Sequence, residues 1–399
     1  GALVVKVNVK SLNTTSYNLG IFLPDRKKWN GRLMTTENGG FGGGINYPDM
    51  GEYTHYGFAS VSTDTGHLSD IGDSSWALNN AESITDWSYR ALHGSVALAK
   101  QIVPAYYRNH ETLTPSIEVS YYTGCATGGR QALRSLQLYP EDFDGVLVGD
   151  AAWQTTYLQS WSTWMPLQNY PPEAPYHISQ SLFSSLTAKI TALCDPQDGT
   201  TDSIIQNPPK CRIDFAALLC SSPSANQTAC DFDISRFKEN GGKIIMYHGY
   251  ADPLIPAGSS VEYVTHTLSA MKINESQLSS FLRLFLVPGM NHCVSNAPTQ
   301  PNAPWYIAAA SQIAGISGRL TGINNITHSV PGFQDAKHDS VLALVKWVEE
   351  GVPPDALIAT KFVNDTAPAV ESQRTLCPWP KVSMYTRGDQ KAAQNWVCD

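Results

Sequence analysis

Apolar and polar residues alternate through ALVVKVNVK, and YNLGIFLP follows as an apolar run that stops at a proline; both patterns predict extended strands. WNGRLMTTENGGFGGG reads as a short strand entering a glycine-rich loop, and YGFASVSTDTG repeats the passage from strand to loop. The period then changes. In ITDWSYRALHGSVALAKQIVPAYY apolar residues return at helical spacing, which predicts a helix covering one face of a sheet. SIEVSYYTG predicts a buried strand, GRQALRSLQLYP the helix leaving it, and FDGVLVGDAA the next strand. GGKIIMYHGYAD and FLRLFLVPGMNHC resume the strands, and SVLALVKWVEEG is a late amphipathic helix. Strand alternating with helix predicts an α/β fold with a mostly parallel sheet wrapped by helices.

From about Trp153 to Phe237 this rhythm breaks into a stretch rich in aromatics, proline, serine and cysteine with no clear strand run. The pattern therefore divides the chain into a first part of a catalytic domain (1–152), an inserted lid (153–237) and a second part of the catalytic domain (238–399). No internal repeat or low-complexity tract interrupts it.

Composition narrows the function classes. Of 399 residues only 16% are charged, against about 25% in an average chain, and the net charge is -8. That mild acidity argues against nucleic acid or an anionic membrane as a partner. No run approaches the ~18 apolar residues of a membrane span. Gly1 opens no signal peptide, so the chain reads as processed or trimmed. Its eight cysteines form no CxxC pair, which disfavours zinc or thioredoxin-like chemistry. Asn13, Asn226, Asn274, Asn325 and Asn364 each begin an N-x-[ST] sequon. Five sequons with an even cysteine count predict a secreted glycoprotein.

The central motif is GCATGG, residues 124–129. Gly124, Ala126 and Gly128 have the spacing of a nucleophile elbow between a β-rich and a helical run, where small residues let the backbone fold tightly. This predicts the α/β-hydrolase fold, whose triad runs nucleophile, acid, histidine along the chain. Asp252 leaves one apolar strand in YADPLIP and His292 leaves the next in PGMNHC. Such a histidine takes the nucleophile's proton while a buried carboxylate fixes its tautomer. His338 and Asp339 precede a helix instead, and His67 comes too early in the chain for the triad order, where it reads as a structural residue or a pocket-shaping one. An oxyanion hole would draw one N–H from Thr127 and a second from the glycine loop, at Gly39 or Gly40.

Cys125 immediately before the nucleophile position and Cys293 immediately after His292 resemble the Cys-Ser…Asp…His-Cys pattern of the tannase and feruloyl esterase family. The likeness extends through WNGRLMTTENGGFGGG, STDTGH, GCATGGRQAL, FDGVLVGDAA, YADPLIP and PGMNHC to WVEEGVPPDALIA. It implies a secreted serine carboxylesterase acting on small aromatic esters, as a monomer or homodimer without an organic cofactor. It also implies a Cys125–Cys293 disulfide. The other pairs suggested by proximity and resemblance are Cys194–Cys211, Cys220–Cys230 and Cys377–Cys398, out of 15 connectivities. The chain departs from the family in lacking a further cysteine-bearing N-terminal segment, in a shorter lid, and in carrying Ala126 where the serine belongs. Because every other catalytic part is present, the alanine reads as an engineered replacement made to trap a ligand. A natural ester-binding pseudoenzyme, or an acyltransferase or lactone-forming enzyme on the same scaffold, are the alternatives.

CDPQDGTTDSII spaces Asp195, Asp198 and Asp202 around Gly199. By spacing alone this is a solvated turn; the family's lid calcium loop has a similar pattern. The resemblance implies a structural Ca²⁺ held by those three carboxylates and the backbone carbonyls of Thr200 and Ile204. Trp153, Tyr157, Trp161 and Trp164 open the lid, and at least one is expected to wall an aromatic pocket.

Overall fold

The computed structural model describes residues 2–11, 15–36, 38–108, 116–174, 176–211, 232–312, 316, 330–365 and 369–399. One sheet carries the strands β1 (Ala2–Lys10), β2 (Ser16–Pro24), β3 (Arg32–Thr36), β4 (Ala59–Thr63), β5 (Val119–Cys125), β6 (Gly145–Gly149), β7 (Lys243–Gly249) and β8 (Leu282–Val287). Their spatial order is β1-β2-β4-β3-β5-β6-β7-β8. β2 runs antiparallel to both its neighbours, β1 and β4, and every later neighbouring pair is parallel. The opening alternation of β1 is that of an edge strand with half-buried and exposed faces. β5 to β8 read as nearly unbroken apolar runs because both their faces are covered.

Among the described residues the α-helices are α1 (Tyr47–His55), α2 (Ala81–Thr85), α3 (Ala91–Tyr107), α4 (Thr127–Leu138), α5 (Thr155–Leu167), α6 (Gln180–Cys194), α7 (Ser235–Glu239), α8 (Gly258–Met271), α9 (Glu275–Ser279) and α10 (Ser340–Glu350). Successive strand residues point to opposite faces and so feed two cores. Tyr121, Leu147, Ile245 and Phe285 pack with Val341, Leu344 and Trp347 of α10. Tyr122, Val146, Ile244 and Leu284 pack with Leu133 and Leu136 of α4 and Tyr263 and Val264 of α8.

Between β6 and β7 the described residues add no strand to the sheet. Trp153 and Phe237, the two ends of the expected insert, are both buried in the core that α4 and α8 form with the sheet. No residue of α5 is buried, and Trp164 is 59% exposed. The apolar pattern alone missed α1 and the C-terminal pairs β9 (Leu357–Phe362) with β10 (Val370–Leu376) and β11 (Ser383–Tyr385) with β12 (Trp396–Cys398). A bridge between Cys377 and Cys398 closes that end.

Asp49 in the first turn of α1 shows the cost of burying a charge. It accepts from Asn46 Nδ2 at 3.0 Å and Ser311 N–H at 3.3 Å, yet burial raises its pKa to about 6. A carboxyl raised in the fold adds stability below its unfolded pKa and loses it as pH rises through about 6. Asp49→Asn is therefore expected to stabilise the protein by roughly 3 kcal/mol at pH 8 and by little at pH 4. Thermal melts of the two proteins at both pH values check this.

Candidate active site

Ala126 stands at the turn from β5 into α4 with φ 57° and ψ -114°, a backbone conformation that L-residues rarely adopt. Strain of this kind costs about 1–3 kcal/mol and persists only where the surroundings enforce it. Here they do. Ala126 N–H donates to Gly149 O at 3.0 Å, and its carbonyl accepts from Ala152 N–H at 2.9 Å and Arg130 N–H at 3.1 Å. The second glycine of the motif's closing pair matters for contact: a Cβ on Gly129 would lie 2.6 Å from Gly149 O, so only glycine lets α4 approach β6 this closely.

The glycine loop lies against the elbow. Thr127 Oγ1 donates to Gly40 O at 2.8 Å, and Gly40 has φ +56° with Ile71 O 2.6 Å from where a Cβ would stand. Thr127 opens α4, whose first N–H groups have no intrahelical acceptor. The contact between Thr127 and Gly40 sets the glycine loop beside the first turn of α4. His67 buttresses the loop from behind, with Nε2 3.1 Å from Phe41 O and its ring stacked on Trp76 at 4.0 Å.

Asp252 and His292 leave β7 and β8 at their carboxyl ends, where open parallel sheets gather their ligand sites. His292 Nδ1 lies 2.8 Å from Asp252 Oδ2. The other carboxylate oxygen accepts from Leu254 N–H at 2.7 Å and Ile255 N–H at 3.0 Å. Burial opposes the Asp252 charge, but the hydrogen bonds from His248 and His292 outweigh it and hold the carboxyl below its usual range. For His292 burial likewise opposes the charge, yet the bond to Asp252 and the nearby carboxylates raise its pKa above the ordinary histidine value. The Cys125–Cys293 bridge, Cα atoms 6.1 Å apart, ties the residue before Ala126 to the residue after His292. The structure thus gathers Ala126, Thr127, the glycine loop, Asp252 and His292 at one end of the sheet. His338 and Asp339 have other partners: His338 pairs with Asp335 at 2.9 Å, and Asp339 caps α10.

Two residues the sequence reading passed over lie beneath this site. Asp150 follows β6, and His248 is in β7; both are fully buried and stand within 3.6 Å of each other. Their signal was a polar residue at the carboxyl end of an otherwise apolar strand, in GVLVGD and IIMYHG.

The acidic loop folds as a short turn over Asp195–Asp198 ending at Gly199, φ +92°, with Cys194 bridged to Cys211. Asp195 accepts from the N–H groups of Asp202, Ser203 and Ile204, Asp198 accepts from Thr200 N–H, and Asp202 pairs with Arg374. Asp198 Oδ2 and Thr200 Oγ1 are buried without a hydrogen-bond partner. The three carboxylates do not converge as a set to within 4.8 Å. Of the aromatic residues, Trp153 is committed to the core, its indole N–H donating to Ser259 O at 3.0 Å. Tyr157 and Trp164 are exposed and Trp161 is half-buried. Asn274 is exposed and caps α9 through its side-chain oxygen, which leaves the amide nitrogen outside the cap. Asn13, Asn226, Asn325, the Asn364 side chain and the Cys220–Cys230 pair lie outside the described residues.

The sequence pattern of the family described as tannase and feruloyl esterase matches residues 4–231 and 227–399. A probable feruloyl esterase B-1 of Aspergillus fumigatus is 28% identical over 486 aligned positions, covering 99% of this chain and 85% of the relative. The crystal structure of feruloyl esterase B from Aspergillus oryzae superposes with a TM-score of 0.84 at 26% identity, covering 100% of this chain and 90% of that one. The tannin acyl hydrolase of Aspergillus niger, 19% identical, shares the fold with a TM-score of 0.71 over 100% of this chain and 86% of its own. With an α/β-hydrolase sheet in place and the pattern matched from end to end, the chain belongs to the tannase and feruloyl esterase family.

Proposed function

We propose that this chain is the scaffold of a secreted serine carboxylesterase for phenolic or other aromatic acid esters, held inactive by alanine at the nucleophile position. One observation carries the reading. Ala126 keeps the strained backbone of a nucleophile elbow while its neighbour is bridged to the loop that presents His292 to Asp252. A helix-entry turn without a catalytic role has no need of that strain.

In a chain with serine at position 126, the hydroxyl would attack the ester carbonyl. His292 Nε2, the nitrogen not bound to Asp252, would take the proton and then give it to the departing alcohol. Asp252 holds the Nδ1–H tautomer and stabilises the imidazolium. Charge developing on the carbonyl oxygen would be met by the Thr127 N–H and an N–H of Gly39 or Gly40, already fixed and so needing no reorganisation. Water then releases the acid from the acyl-enzyme by the reverse proton path. The methyl of Ala126 can do none of this, so the present chain binds an ester without turning it over. The test is ester hydrolysis after Ala126→Ser. The described disulfides fit an oxidising, extracellular compartment.

The acidic loop fits a hard cation in its donor chemistry. Two buried oxygens, on Asp198 and Thr200, lack partners, and burial with the nearby Asp202 and Asp195 charges raises the Asp198 pKa to about 6. Ca²⁺ held by Asp195, Asp198, Asp202 and the carbonyls of Thr200 and Ile204 would neutralise that charge and stiffen the loop, with no part in the ester chemistry. Chelation with EDTA is expected to lower the Tm by several degrees and added Ca²⁺ to restore it. Asp198→Asn should abolish the response; an unchanged Tm in the parent protein would remove calcium from the picture.

A further inference from the structure

Asp150 and His248 join the two loops that carry the acid and the base. Asp150 Oδ1 accepts from Gly249 N–H at 2.8 Å, three residues before Asp252, and Oδ2 accepts from Cys293 N–H, next to His292. One side chain thus spans the gap between the ends of β7 and β8. Its own backbone is committed as well, with φ 35° and its N–H donating to Tyr247 O at 3.0 Å. A non-glycine residue held at positive φ in a buried site is a place where the fold enforces geometry.

His248 stands behind the acid. Its Nε2 lies 2.9 Å from Ile255 O, 3.3 Å from Asp252 Oδ2 and 3.6 Å from Asp150 Oδ1. All three neighbours are acceptors, so Nε2 carries the proton. Its Nδ1 is 2.7 Å from Ser260 Oγ, which fixes the ring plane. Asp252 Oδ2 therefore lies between two imidazoles, His292 on the solvent side and His248 on the buried side. Burial opposes a charge on His248, but Asp150 and Asp252 together raise its pKa.

We propose that Asp150 and His248 are positioning residues for the Asp252–His292 pair: Asp150 clamps the backbones of the acid and histidine loops together, and His248 aims Asp252 Oδ2 at His292. The inference rests on the esterase reading for its kinetic consequence but not for its geometric one. It also explains why the site keeps two buried carboxylates close together, since each has its own task and shares one histidine.

Two readouts separate the possibilities. In the present alanine chain, NMR follows the His292 imidazole: its low-field Nδ1–H and its titration, which Asp252, Asp150 and His248 all face. In the Ala126→Ser chain, kcat and KM are measured on a phenolic ester. His248→Leu is expected to lower kcat by about 100-fold at little-changed KM, the scale of a small misplacement of reacting groups. It should also broaden or remove the His292 Nδ1–H signal and shift the titration. His248→Gln, which keeps an N–H donor, should recover most of both. Ser260→Ala, a milder change that frees the ring behind, should give a smaller loss in the same direction and keeps the test alive if His248→Leu does not fold. Asp150→Asn should reproduce the kcat loss, because its amide turns a donor toward an N–H. Unaltered kcat and unaltered His292 titration in the folded His248→Leu and Ser260→Ala proteins would overturn the proposal. If Ala126→Ser is inactive on every ester while the His292 signals respond as described, the positioning holds and the esterase reading falls.

Discussion

Ala126→Ser is expected to raise ester turnover by about a millionfold, the scale on which loss of the serine disables a hydrolase triad. Little else should change. The backbone at position 126 already bears the strain of φ 57° and ψ -114°, and its N–H and carbonyl are held by Gly149, Ala152 and Arg130, so one oxygen is added to a preformed turn. Methyl ferulate, methyl gallate and a simple aliphatic ester, assayed beside the parent chain, check the prediction and rank the acyl groups. Hydrolysis must fall as pH drops, because the base works only when neutral. His292 is held above the ordinary histidine pKa, so the acid limb of the profile should lie above pH 6.5. A folded Ala126→Ser protein inactive on every phenolic ester would defeat the esterase reading, and acyl transfer to alcohols in preference to water would redirect it to an acyltransferase.

Asp252→Asn in the serine-bearing chain is expected to cost about ten-thousandfold in kcat, as a wrong histidine tautomer does in a serine protease triad. The geometry supplies the reason. Asp252 Oδ1 accepts from Leu254 and Ile255 N–H, so an asparagine keeps its carbonyl oxygen there and turns its NH2 toward the imidazoles. That NH2 demands an acceptor at His292 Nδ1, which puts the proton on Nε2, where the base must be free. It also meets the Nε2–H of His248, donor against donor. KM should change little, since no substrate contact is removed. Loss of the negative charge should lower the His292 pKa and carry the residual acid limb to lower pH. A kcat loss under tenfold would mean that Asp252 is not the orienting acid.

The sheet was legible in the chain wherever burial and period agreed. β1 showed its exposed face by alternation, β5 to β8 their double burial by continuous apolar runs, and α4 and α10 their apolar stripes. α1 escaped because an N-cap asparagine and a proline start it without a marked apolar stripe. The C-terminal pairs escaped because their strands mix charged and apolar residues and are held by a disulfide and by contact with the main sheet.

The order of Ala126, Asp252 and His292 and the cysteines beside the first and last were fixed by the sequence itself, because an elbow needs small residues at set spacing and each partner leaves a strand end. Distance along the chain says nothing about which polar residue faces which. Only the folded sheet turns Asp150 and His248 inward beneath Asp252 and sets Gly40 against Thr127. Hydrogen bonds act over about 3 Å. Which groups fall within that reach is decided by strand register and packing across the sequence separation of 168 from Cys125 to Cys293, not by any local pattern.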